Sequence, residues 1–315
     1  MPIIGFDESI YRITGMPFSD EEIAFDVYQN YLENWVGFIK SKYKTYDDFI
    51  ISISQLANKL QKSTNIDIEY IKRFLYLGWN TEDLVRLNDK NIIYNDMLKV
   101  NNQWKPIQVY YSIYSLSEAA CYSLTRMKAE SHSKCLSSIS NYFKTTKIEP
   151  WNLGFTGYMG NKKIISTIEP INFSKGIATP NSLTRVNTSP EEMIATCLKA
   201  EHKNRIKQHQ KTGKKDLKYL YNPGLTTIFH FLYRLRIKSN YKEVEIFLSD
   251  APENEVKAFS KNLTKINLYT NTLLEILILK KIGKKVLFEI MDEFVDKFNK
   301  KSVIRLRKQK YSLIS

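Results

Sequence analysis

Three arginines in this chain stand a short helical step from a side chain that could share a phosphate with them. Arg126 precedes His132 with five residues between, Arg205 precedes His209 with three, and Arg236 precedes Tyr241 with four, Asn240 lying beside the tyrosine. A guanidinium is a planar fork that grips a phosphate with two hydrogen bonds. A histidine titrating near neutrality can move a proton to or from a hydroxyl. A phenol, with a pKa of about 10, is a poor base at neutral pH but can orient a phosphate or stack on a nucleobase. The basic run "KAEHKNRIKQHQKTGKKDLK" surrounds the second pair with Lys203, Lys207, Lys211, Lys214 and Lys215. Together with Arg205 and His209, those side chains are expected to contact nucleic-acid phosphates without reading sequence. The competing reading is a solvated basic face.

Arg236 shares "FLYRLRIKSNYKEVEIF" with Arg234. Two residues apart on a helix is about 200°, so the two guanidiniums cannot face the same way. One is expected to pair with a carboxylate such as Glu243 or Glu245. The other, Arg236, is expected to face a cleft, with Phe229, Leu232 and Leu235 as the buried stripe.

Other chemistries lack their residues. The four histidines form no HExxH and the three cysteines no CxxC, so neither a metal nor a cofactor is expected. A GxSxG elbow is missing. "GFTGYMGNKK" from Gly154 has glycines but no GK[ST] ending, and reads as a surface loop rather than a phosphate cradle. The net charge is +14, with 47 basic against 33 acidic residues. That sign draws phosphate-bearing partners. Hydrophobic content of 43% excludes wholesale disorder. No run of eighteen apolar residues exists, so no membrane partner is expected, and "LLEILIL" has the length of a core segment. Widely spaced cysteines and an N-terminus without a leader pattern suggest a cytoplasmic protein.

The elements that must position these residues read as helices. With only 11 Gly and 9 Pro, long regular segments are expected. Ser19 with Glu22 forms a capping box ahead of Ile23, Val27, Tyr31, Trp35 and Ile39 at helical spacing. Two more helices follow before residue 104. Pro106 is expected to open a helix with Tyr110, Ile113, Tyr114, Ser117 and Cys121 on one stripe. Ser131 or Ser133 caps the next, and Ser189-Pro190-Glu191-Glu192 starts another. Residues 147–187 read as an irregular insertion holding a short hairpin. Gly283 interrupts the last long helical stretch, and the tail "VIRLRKQKYSLIS" reads as basic and frayed. The expected fold is mainly α: an N-terminal helical region over 1–104, a helical bundle over 105–282, and a C-terminal helix with a basic tail over 283–315.

Two segments resemble HEPN domains. "PIQVYYSIYSLSEAACYSLTRMKAESHSKCLSSISNYF" is similar to their first helical hairpin, in Tyr110, Tyr111, Ala119 and Leu124, then Ser131, His132, Leu136 and Phe143. "LYRLRIKSNYKEVEIFL" is similar to their closing segment, in Arg236, Ser239, Asn240 and Tyr241. The resemblance covers roughly 105–145 and 190–280. It implies a helical bundle that pairs with a second copy or a protein partner. It also implies a metal-independent endoribonuclease acting through an arginine and a histidine, in a toxin or antiphage-defence setting. The chain departs from the pattern where Tyr241 stands in place of the histidine, while Arg126 and His132 satisfy the arginine–histidine spacing. RNA is therefore the expected partner, with Arg236, Tyr241, Asn240, His132 and Arg126 as the site. The alternative is a non-catalytic subunit that binds nucleic acid or protein within a larger assembly.

Overall fold

The computed structural model describes residues 20–63, 65–91, 95–146, 148–160, 163–169, 189–211, 223–242, 244–248 and 252–314. The fold is mainly helical, as expected. Three helices lead: α1 (Asp20–Lys42), α2 (Tyr46–Leu56) and α3 (Ile68–Asn91). They are followed by α4 (Asn95–Thr125) and α5 (His132–Lys144), then a hairpin of β1 (Gly154–Gly160) and β2 (Lys163–Glu169). The second half contains α6 (Pro190–Lys211), α7 (Ile228–Ile237), a π-turn (Lys238–Lys242), α8 (Val244–Leu248), α9 (Glu253–Ile282), α10 (Lys284–Lys297) and α11 (Val303–Tyr311).

Local signals set many of the boundaries. Thr45 and Asp48 exchange capping bonds at the start of α2, each 3.0 Å. Ser131 rather than Ser133 caps α5, accepting from the Lys134 amide. Ser189 and Glu192 form a reciprocal box at the expected start of α6. Each such box satisfies two amides that the helix itself cannot. Gly283, at a φ of 93°, ends α9 in a conformation that favours glycine and turns the chain into α10. Helix α1 begins at Asp20, and the expected cap at Ser19 lies outside the described residues.

Helix α9 is the axis of the molecule. Every residue from Thr270 to Leu279 is buried, which explains an apolar run without a polar face. Helix α4 packs between α9 and α3, and α1 lies against α9 and α6. Trp35, Trp79 and Trp151 are sealed in one continuous hydrophobic cluster with residues of α4 and α9. Helix α4 runs unbroken through the boundary expected at 104. Pro106, expected to open a helix, lies inside one. The proline removes one amide donor. Packing holds the segment, because buried Asn102 donates to the Val256 carbonyl at 2.9 Å and buried Lys105 to Ser260 Oγ at 2.6 Å.

Helices α3 and α4 approach so closely at Gly78 that a Cβ there would meet Leu116 Cδ1 at 2.0 Å and the Ser112 carbonyl at 3.0 Å. Gly78→Ala is expected to cost about 1–3 kcal/mol through overpacking, read as a lower thermal midpoint with helical content retained. An unchanged midpoint would show that the two helices are not held at this distance.

The insertion forms the expected hairpin, with Gly154 paired to Glu169 and Gly160 to Lys163. The glycine segment read as a surface loop is therefore strand β1, and its Phe155 exchanges two 2.8 Å backbone bonds with Thr226. The tail expected to fray is instead helix α11. Its Arg307 is buried between Glu82 at 2.7 Å and Glu275 at 3.0 Å.

Candidate nucleic-acid site

Helix α7 follows its N-cap Thr227, whose amide donates to His230 Nδ1 at 3.3 Å. Its stripe Phe229, Leu232 and Leu235 is buried as expected. The two arginines part company. Arg234 Nε lies 3.5 Å from Glu201 of α6. Glu201 thus takes the place expected of Glu243 or Glu245. Burial pushes the Glu201 carboxyl up to about 8 against the pull of Arg234 and Arg205. Arg234 is therefore a structural side chain that ties α7 to α6.

Arg236 points to α4. Its Nη2 donates to Tyr111 Oη at 2.7 Å. Its guanidinium carbon lies 5.1 Å from the Tyr111 ring, 5.7 Å from Tyr110 and 5.8 Å from Tyr233. Such geometry is attractive because a cation meets the negative face of each ring. Tyr111, Tyr233 and Arg236 are all half-buried, so the cluster reaches solvent.

His132, the first residue of α5, closes the same cluster. Its ring stacks on Tyr114 with centroids 3.9 Å apart and planes 7° apart. Its Nδ1 lies 2.6 Å from Tyr110 Oη. Burial first, and then the nearby Arg236 charge, lower its pKa, opposed by Glu118. The imidazole is accordingly neutral at pH 7. Burial pushes the Tyr110 hydroxyl well above its ordinary value, so it remains a phenol.

The structure thus brings together Arg236 and His132, a pair the sequence spacing did not suggest. Arg126 is exposed at the end of α4, with a φ of 61° and its amide on the Tyr122 carbonyl. The following segment runs back along α4, where the Ala129 amide bonds to Glu118 at 2.9 Å. That return sets His132 on Tyr114, twelve helical residues from Arg126, about 18 Å along the axis. Asn240 is half-buried in the π-turn, and Ser239 Oγ donates to the Arg236 carbonyl at 3.1 Å. The Tyr241 backbone belongs to the same turn, and its side chain lies outside the described residues.

Helix α6 divides the expected basic cluster. Arg205 donates to the Leu225 carbonyl at 3.0 Å, to Thr226 Oγ1 at 2.7 Å and to the Pro223 carbonyl at 2.6 Å. Its guanidinium clamps the segment entering α7, so these donors are engaged within the fold. Lys203 and Lys207 are exposed one turn apart. The side chains of His209 and Lys211, and residues Lys214 and Lys215 entirely, lie outside the described residues. Among the described residues no group of three His, Cys, Asp or Glu could hold a metal ion, and no helix is long and apolar enough to cross a membrane.

No family model, curated protein or solved structure matches the chain. What it does must be argued from the cluster itself. Tyr233, three residues before Arg236 on the same helix, is the member that spacing alone could have found.

Proposed function

We propose that this chain binds RNA on the face shared by α4, α5 and α7, and cleaves it there without a metal ion. The observation that carries the reading is the meeting of Arg236 and a neutral His132 in one half-open cluster of tyrosines. Arg236 would exchange the Tyr111 hydroxyl for a phosphate oxygen, a stronger, charge-assisted bond. Tyr111 and Tyr233 would offer ring faces to the neighbouring bases. With its proton on Nδ1, donated to Tyr110 Oη, His132 presents a lone pair at Nε2. That nitrogen takes the proton of a ribose 2′-hydroxyl. The 2′-oxygen attacks phosphorus, the bond to the 5′-oxygen of the next nucleotide breaks, and the departing oxygen is protonated by water. The products are a 2′,3′-cyclic phosphate and a 5′-hydroxyl.

The HEPN resemblance supports this reading and supplies the rest of it: a second copy or protein partner, and a toxin or antiphage setting. From it also comes a phosphate-orienting role for Asn240 and Tyr241. The exposed Lys203 and Lys207 would follow the strand's backbone. Cys121, Cys135 and Cys197 are all free and buried, which fits a cytoplasmic location.

One observation favours a second reading. Arg236 Nη2 and His132 Nδ1 already have tyrosine partners, so the cluster could join three helices in a module that binds nucleic acid or protein without turnover. Incubating the purified chain with total RNA and tRNA in a chelator separates the two. Cleavage that is strongly weakened in Arg236→Ala supports the first. Salt-dependent RNA binding with no product under any condition leaves only the second.

A further inference from the structure

A cavity of about 470 Å³ lies in the groove between the end of α4 and the first turns of α5. That size suits a small molecule or one residue of a polymer, and exceeds what a bare phosphate fills. Lys128, Lys134, Ser133, Ser137 and Ser138 line it, together with the carboxylate residue Glu130 and with Met127, which is 67% exposed. Neither lysine is held in a buried ion pair, although the Lys128 ammonium also lies over the Tyr70 ring, 4.5 Å from its centroid. Lys128 lies 3.6 Å from Asp67 and Lys134 pairs with Glu130, and all four side chains are largely exposed. Exposed pairs of this kind contribute little and yield to a better anion. The three serine hydroxyls have no hydrogen-bond partner among the described residues. A groove lined by two lysines, one glutamate, unengaged hydroxyls and an exposed thioether has the chemistry of a phosphorylated ring compound.

We propose that this cavity binds a nucleotide. Its phosphate lies between Lys128 and Lys134 and accepts from the serine hydroxyls, and its base packs on the Met127 thioether. Two sources share that chemistry. One is a free nucleotide. The other is a nucleotide of an RNA strand that continues from His132 past Ser133, and this second source alone rests on the function proposed above.

The test titrates adenosine 5′-monophosphate and a short single-stranded oligoribonucleotide into the full chain by calorimetry at fixed salt. The variants are Ser133→Ala with Ser137→Ala, Lys128→Ala with Lys134→Ala, and Arg236→Ala, each checked for folding by circular dichroism. The serine pair is decisive, because it removes donors without changing charge. If a free nucleotide is the ligand, the monophosphate binds, both pocket variants weaken it about tenfold, and Arg236→Ala leaves it unchanged. Glu130→Ala, which releases Lys134, then tightens it. That result would stand even if RNA did not bind, so it separates this inference from the cleavage reading. If a strand residue is the ligand, only the oligoribonucleotide binds, and the serine pair weakens it at least about fivefold, additively with Arg236→Ala. The proposal is overturned if the wild type binds neither ligand, or if the lysine pair alone matters while the serine pair changes nothing.

Discussion

His132→Ala is expected to lower RNA cleavage by about 10²–10⁴-fold while RNA affinity falls by less than about threefold, because the change removes the proton acceptor and keeps the guanidinium. Arg236→Ala should act differently and weaken affinity and rate together, because a phosphate contact is lost in both the bound and the reacting state. The pH profile tests the assignment independently. In the proposed reaction the acting form of His132 is the neutral one, and burial with the Arg236 charge lowers its pKa from the ordinary 6.5. The rate should therefore be level at pH 7 and above, and fall only once the pH drops below that ordinary value. In Arg236→Ala the first opposing charge is gone, so the falling limb should move toward higher pH. Tyr110→Phe should leave RNA binding intact and reduce the rate, because the ring loses the oxygen that fixes its tautomer. Cleavage by His132→Ala at the wild-type rate would remove histidine from the chemistry. An acidic limb above pH 7 in the wild type would contradict the buried, Arg236-coupled imidazole.

The residues of that cluster were legible in the sequence to different depths. His132 and its cap Ser131 are three-residue signals, and the structure places the cap where the sequence allows it. Arg236 could be separated from Arg234 by the helical angle alone. Its partners could not. Tyr111 is 125 residues away and Glu201 belongs to another helix, so neither contact leaves a mark at local spacing. The Arg126–His132 spacing does not bring those two side chains together in the fold, because spacing says nothing of a chain that turns back on its own helix. The bonds of Arg205 were hidden for a related reason. A lysine-rich neighbourhood suggested phosphate, but its guanidinium closes three bonds to the 223–226 segment, whose path the composition does not specify. Pro106 was overridden in the same manner, since packing on α9 outweighs one missing amide.

Arg307→Met is expected to cost about 3–5 kcal/mol, the largest single loss of stability in the molecule. At about 2–4 °C per kcal/mol, a thermal midpoint roughly 6–20 °C lower would follow. Arg307 lies in a tail that reads as basic and frayed, yet it is 1% exposed, and Glu82 and Glu275 are fully buried against it. Trp79 Nε1 and Tyr311 Oη donate to Glu275 at 2.7 Å and 2.6 Å, and Asn271 Nδ2 to Glu82 at 2.8 Å. Removing the guanidinium strands two carboxyls whose desolvation it offsets. The sign of the pH dependence follows from Glu275. Burial, with the Glu82 charge, pushes it up to about 7 even against the pull of Arg307, and without Arg307 it must rise further. A carboxyl whose folded value exceeds its unfolded value near 4.5 favours the native state below that value, and that contribution is lost as the pH climbs through the folded value. The deficit of Arg307→Met should accordingly be larger at pH 8 than at pH 5. Replacing all three charges, as Glu82→Gln, Glu275→Leu and Arg307→Met, should recover most of the loss, because the penalty lies in the stranded charge rather than in the missing pair. Chemical denaturation of both variants at the two pH values decides it. An equal deficit at both, or no recovery in the triple variant, would mean that α11 is held by packing around Ile304 and Tyr311 alone.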